Sequence, residues 1–172
     1  MKKLYLLLLS LTLSSVYAQV AIGKESITNS SVSLEFGSAN RGLILPWVTS
    51  SASVAGAVDG TLIFDTTDKK VKYQKNGAWF DLSIDNTGAV DTTLQNALTE
   101  LPSAETTIGK RTPTNSAPGI LVLTDDDKAM ILPKVASPHL NIINPAAGMI
   151  VYDTDNRQVA VFNGNVWSFW KP

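Results

Sequence analysis

The sequence predicts a mainly β protein: two tandem, small antiparallel β-meander modules joined by a linker with a short helix. Three observations predict it. The first is an internal repeat. Gly60, Asp65 and Thr66 recur 88 residues later as Gly148, Asp153 and Thr154, and Leu62-Ile63-Phe64 between them is echoed by Ile150-Val151-Tyr152. The second is alternation with a period of two, the signature of a half-buried strand. Val32, Leu34 and Phe36 alternate with Ser33 and Glu35, and Val71 and Tyr73 alternate with Lys70, Lys72 and Gln74. On this reading Lys72 and Gln74 face water. The third is turn chemistry: Asn76-Gly77 and Asn163-Gly164 supply the residues that accept positive φ in a two-residue hairpin turn.

Taken in order, residues 1–18 read as a signal peptide. Lys2 and Lys3 precede a leucine-rich core, and Val16-Tyr17-Ala18 offers a small-residue cleavage site that leaves Gln19 first. The apolar core is about ten residues, against the ~20 a membrane span needs, so no transmembrane segment is expected after cleavage. No cysteine follows it for lipid attachment. Export places the protein in the periplasm, at the outer-membrane surface or outside the cell.

Module 1 covers residues 19–83. Its strands are expected around residues 32–36, 42–48, 61–65, 70–74 and after Asn76-Gly77, beginning at Trp79. The linker covers residues 84–105. Asp91 is a plausible helix N-cap, Leu94, Leu98 and Leu101 share one helical face, and Pro102 stops the pattern. A helix of two to three turns is expected, its leucines packed against something, because so short a helix does not stand alone. Module 2 covers residues 106–172 and repeats the landmarks: Ile22-Gly23-Lys24 as Ile108-Gly109-Lys110, Leu45-Pro46 as Leu132-Pro133, and Trp79 as Trp167.

Composition excludes several functions. The chain has 14 basic and 15 acidic residues, and losing Lys2 and Lys3 leaves 12 against 15, a net charge of −3. Without a basic patch, nucleic acid is not an expected partner. With no cysteine and one histidine, His139, neither a Cys–His nucleophile nor a histidine zinc site can be built. The recurring acids Asp65 and Asp153 sit in tight turns, where Asp caps backbone N–H groups. Asp125, Asp126 and Asp127 are weak calcium candidates, three carboxylates on one loop being the start of an oxygen-rich site. No catalytic residues and no cofactor are expected.

A module of this size, without disulfides or metal, has a thin core and needs a partner or its twin. Module 2 is the more apolar: Ala160 and Phe162 stand where module 1 has Lys72 and Gln74. A strand apolar on both faces is normally covered on both. Phe162, Trp167, Phe169 and Trp170 are therefore the candidate partner-binding residues, with ordinary core packing as the alternative. Trp47 and Trp170, unmatched by tryptophan in the other module, are the candidates for stacking on a glycan.

The string Ile-Gly-Lys, then Gly-Leu-Ile-Leu-Pro, then Gly60 through Thr66, then Asn-Gly-x-x-Trp resembles a family of secreted repeat proteins of Gram-negative bacteria. The segments 20–35 and 107–122 are similar to shaft motifs of trimeric phage tail fibres and adhesins. The resemblance implies a cell-surface, fibre or adhesion setting and self-association, with homotrimers in view; it implies no catalytic residues. The expected function is a non-enzymatic structural or accessory subunit of an extracellular assembly (adhesin, fibre or motility-related) acting through protein–protein contacts. A carbohydrate-binding module of the cell surface is the alternative.

Overall fold

The computed structural model describes residues 19–99, 101, 103–110 and 117–171. The signal-peptide segment and the helix stop at Pro102 lie outside the described residues. As expected, the protein is mainly β. Fourteen short strands run in order as β1 (Val20–Ile22), β2 (Val32–Phe36), β3 (Leu43–Ile44), β4 (Trp47–Val48), β5 (Leu62–Asp65), β6 (Lys70–Lys75), β7 (Ala78–Asp81), β8 (Thr106–Ile108), β9 (Leu121–Leu123), β10 (Ala129–Ile131), β11 (Lys134–Val135), β12 (Met149–Asp153), β13 (Gln158–Phe162) and β14 (Trp167–Trp170). Two one-turn α-helices, α1 (Thr93–Asn96) and α2 (Pro138–Asn141), and a 3-10 turn at Ser51–Ser53 interrupt them among the described residues.

The antiparallel meander describes β5-β6-β7 and β12-β13-β14. The strands before them pair in parallel: β1 with β2, β4 with β5, β8 with β9 and β11 with β12. The result is a solenoid-like stack of short strands. The same order of pairings thus occurs in each half of the chain, and Phe64 N–H to Pro46 O at 2.8 Å is repeated as Tyr152 N–H to Pro133 O at 2.9 Å.

The halves also trade strands. β3, from the first half, adds antiparallel to β12 of the second, with Leu43 opposite Ile150 and Ile44 opposite Met149. β10, from the second half, adds parallel to β2 of the first. One core cluster is accordingly built from both halves: Leu45, Phe64 and Val71 with Ala147, Ile150 and Val161. A second cluster, Val135, Ile142, Met149, Val151, Ala160 and Phe162, covers the opposite face of β12 and β13.

Turn chemistry explains the corners. Asn76 and Gly77 both take positive φ, 52° and 73°, closing the β6–β7 hairpin as expected. The corner between β13 and β14 is different. Asn163 is fully buried, and its Oδ1 accepts from the N–H groups of Asn165 and Val166, giving a longer turn held from inside.

Two further expectations fail here. The linker helix is one turn, residues 93–96, and Leu94, Leu98 and Leu101 remain 82%, 74% and 71% exposed. Four helical residues cannot offset the cost of helix nucleation or align a leucine face. The part of the linker that does dock precedes them: Ile84 N–H donates to Ser168 Oγ at 2.9 Å, Asn163 Nδ2 donates to Asp85 O at 3.3 Å, and Val90 packs against the shared core. Lys72 does not face water either. It is 8% exposed and held by Asp68 and Asp81, with Asp65 at 4.0 Å. Burial pulls its pKa down, but the ion pairs with Asp68 and Asp81 outweigh burial and leave it raised.

Candidate functional site

The feature that distinguishes this molecule is the seam where the halves exchange strands. Leu45-Pro46 carries the chain from β3 on β12 to β4 on β5, so one extended segment touches both halves. Leu45 N–H donates to Gly148 O at 3.0 Å, and Pro46 O accepts from Phe64 N–H at 2.8 Å. Trp47, next in line, is half-buried, with its ring 6.0 Å from that of Phe64 and its indole N–H given to Ala147 O at 2.9 Å. Gly148 makes this approach possible. Its φ is +78°, and a Cβ there would lie 2.8 Å from Phe64 Cβ and 3.3 Å from Trp47 Nε1. Gly42 serves similarly, since a Cβ on it would lie 2.3 Å from Met149 Cγ and 2.7 Å from Val151 Cγ1.

The candidate partner-binding aromatics divide by strand alternation. Phe162 is buried in the second cluster, with Trp167 5.2 Å away in a tilted pair. Phe169 packs on the same cluster and meets His139 edge-on at 5.7 Å. Trp170, on the opposite side of β14, is 41% exposed and donates its indole N–H to Leu82 O. The strand apolar on both faces is covered on both by the chain itself: Val161 lies in the shared core, Ala160 and Phe162 in the second cluster. Of the two glycan candidates, Trp47 belongs to the seam and Trp170 to the outer edge of β14.

The acidic loop is occupied by protein. Asp125 pairs with Lys128 at 2.9 Å and accepts from Lys110 N–H at 3.1 Å, while Asp127, with a side chain 79% exposed, reaches Lys128 at 4.0 Å. Among the described residues no group of three or more His, Asp or Glu side chains is placed to hold a metal. Asp65 and Asp153 act as turn caps. Asp65 accepts from the N–H groups of Ser51, Thr67 and Asp68, and Asp153 from those of Ser137, Asp155 and Asn156.

One polar cluster was missed by pattern reading. Glu35, 3% exposed on β2, pairs with Lys24 at 2.7 Å and accepts from Thr28 N and Oγ1, both at 2.6 Å. Alternation assigns Glu35 to the wet face, but a loop folded back over β2 covers it. The signal available was the acid and base flanking a loop with Thr28 between them. Hydrogen bonds from Lys24 and Thr28 hold its pKa down to about 2, against the burial that raises it. A carboxyl depressed in the folded state stabilises above the unfolded pKa of about 4.3, and that contribution is lost as pH falls towards 2. Glu35→Gln is therefore expected to flatten the fall in Tm between about pH 4.5 and 2. An unchanged acid slope in thermal melts would show that Glu35 does not carry it.

Residues 107–171 match a family described as a phage tail like trimerisation region. No curated protein and no solved structure matches the chain. The matched stretch includes β9 through β14, and so includes β12, the strand that receives β3 at the seam. At this coarse level the second half is similar to tail-fibre-type proteins that associate in threes.

Proposed function

We propose that the protein is a non-enzymatic structural subunit of an exported, fibre-like or adhesin-like assembly, working through contacts between copies of itself, in threes. The observation that carries this reading is the match of residues 107–171 to a trimerisation region. Two further features support it. The stacked short strands form a scaffold with many sheet edges, a surface suited to adding strands from a neighbour. The recurring acids Asp65 and Asp153 cap turns, and Asp125 of the acidic loop is held by Lys128, so these carboxylates have structural partners. The two modules belong to this reading as successive copies of one assembly unit, and export places that assembly in the periplasm, at the outer-membrane surface or outside the cell.

The test is the mass of the purified protein in solution by light scattering and native mass spectrometry. The expected result is three chains per particle at micromolar concentration. A monodisperse monomer at ~100 µM, far above the dissociation constants of ordinary specific assemblies, would remove the reading.

A further inference from the structure

The strand exchange inside the chain is incomplete at both ends, and the open ends match. Within the chain, β3 fills the edge of β12, and β10 fills the edge of β2. Their counterparts are vacant among the described residues. The edge of β5 at Leu62 carries no β3-like strand, and β9 pairs with β8 alone. Among the described residues the strands that would fill these places also have a spare edge, since β10 pairs with β2 alone and β3 with β12 alone.

From this we infer that a second copy docks head to tail, repeating the internal seam: β10 of one copy lies on β5 of the next, while β3 of that next copy lies on β9 of the first. The inference rests on the self-association proposed above. Backbone polarity fits. Phe64 N–H points to the β4 side, so strand alternation turns the Leu62 N–H and C=O to that same side. Ala129 N–H is used on Ser31 O, so the backbone of Met130 faces the free edge of β10. Transposing the internal register by the repeat puts Met130 opposite Leu62 and Ile131 opposite Thr61, as Leu43 and Ile44 stand opposite Ile150 and Met149.

Exposure follows the same logic. Gly148 is buried against Phe64, whereas its counterpart Gly60, also at positive φ (+90°), has nothing within 4 Å of the place a Cβ would occupy. On β2, Leu34 is 1% exposed under β10; its counterpart on the open edge, Leu121, is 42% exposed. Side chains are exchanged in complementary pairs. Gly42 faces the large Met149 inside the chain; at the vacant seam Ala129 would face the smaller Thr61. Trp47 donates to the Ala147 carbonyl inside the chain; the counterparts are Lys134 and Asp59, an ammonium and a carboxylate that also accepts from the Asn76 and Gly77 N–H groups. Lys134 is exposed, and no ion pair is formed by it among the described residues. A heterologous contact of this kind closes into a ring when its rotation allows, which is how three such chains would satisfy every edge.

The chain contains no cysteine, so Thr61→Cys with Ile131→Cys reports the contact directly. Oxidation of this double variant is expected to give covalent trimers on a non-reducing gel, with neither single variant doing so. Lys134→Glu is expected to weaken assembly by tenfold or more, and Lys134→Arg, which keeps the charge, to leave it intact. Trimers that neither cross-link through residues 61 and 131 nor respond to Lys134→Glu would overturn this seam while leaving the trimer reading intact. A wild-type monomer would overturn both.

Discussion

Phe64→Ala is expected to destabilise the protein by about 3–5 kcal/mol. Phe64 is fully buried. Its surroundings cannot close over the gap, because one wall is the backbone of Gly148 and the others are hydrogen-bonded strands. It also stands where the halves meet, packed with Leu45 and Val71 from one and with Ala147, Ile150 and Val161 from the other. The loss is therefore expected to appear as a shift of the whole unfolding transition. Urea titrations at one fixed protein concentration, followed by far-ultraviolet circular dichroism and by tryptophan fluorescence, should give coincident midpoints that move together. Concentration must be held constant because association adds to apparent stability. Should Phe64→Ala lower the midpoint of one probe and leave the other in place, the halves would be melting separately, and the shared core would carry little of the stability.

The strands of this fold were legible because their residues obey local rules. Alternation located β2 and β6, and Asn76-Gly77 located its hairpin from the chemistry of positive φ alone. The repeat made each element of one half a check on the other. What remained hidden was non-local. No periodicity announces that β1 and β2 run parallel or that β3 leaves its own half for β12, because the partner of a two-residue strand is chosen by distant packing. Lys72 misled for a related reason. Alternation placed it on the face of β6 opposite Val71, but three aspartates converge there and close that face off from water. The second half handles the same positions by another route: Asn156, Ala160 and Phe169 replace Asp68, Lys72 and Asp81, so an ion-paired face becomes an apolar one capped by α2. The apolar residues that replace charged ones in the second half thus have an internal use that the sequence suggested without locating. Trp47 shows the opposite limit. Its lack of a tryptophan counterpart suggested a ligand, whereas its place in the structure is a seam between non-identical neighbours, where repetition breaks because the contacts differ.

Asp153→Asn is expected to cost about 1–3 kcal/mol at neutral pH. Asp153 is fully buried and accepts from five donors: the backbone N–H groups of Ser137, Asp155 and Asn156, and the side-chain amides of Asn156 and Gln158. An asparagine can offer one oxygen to this set. Its own NH2 must then face either the backbone donors or the two amides, which leaves donors opposed and unsatisfied. Burial pushes the Asp153 carboxyl up, but the hydrogen bonds from Asn156, Gln158 and the backbone prevail and hold it below the ordinary carboxylate range. With the folded pKa depressed, its stabilisation is present above the unfolded value of about 3.9 and fades as pH drops further. The gap between wild type and Asp153→Asn in chemical denaturation should accordingly be full at pH 7 and narrow below pH ~4. Asp65→Asn supplies the control. Asp65 caps the same turn in the first half through Ser51, Thr67 and Asp68, without the two side-chain amides. A smaller loss is expected there. Because Asp65 also lies 4.0 Å from Lys72, the comparison is made with Lys72→Met in both chains; equal losses there would assign the effect to the backbone caps the two share, and leave Asn156 and Gln158 as bystanders.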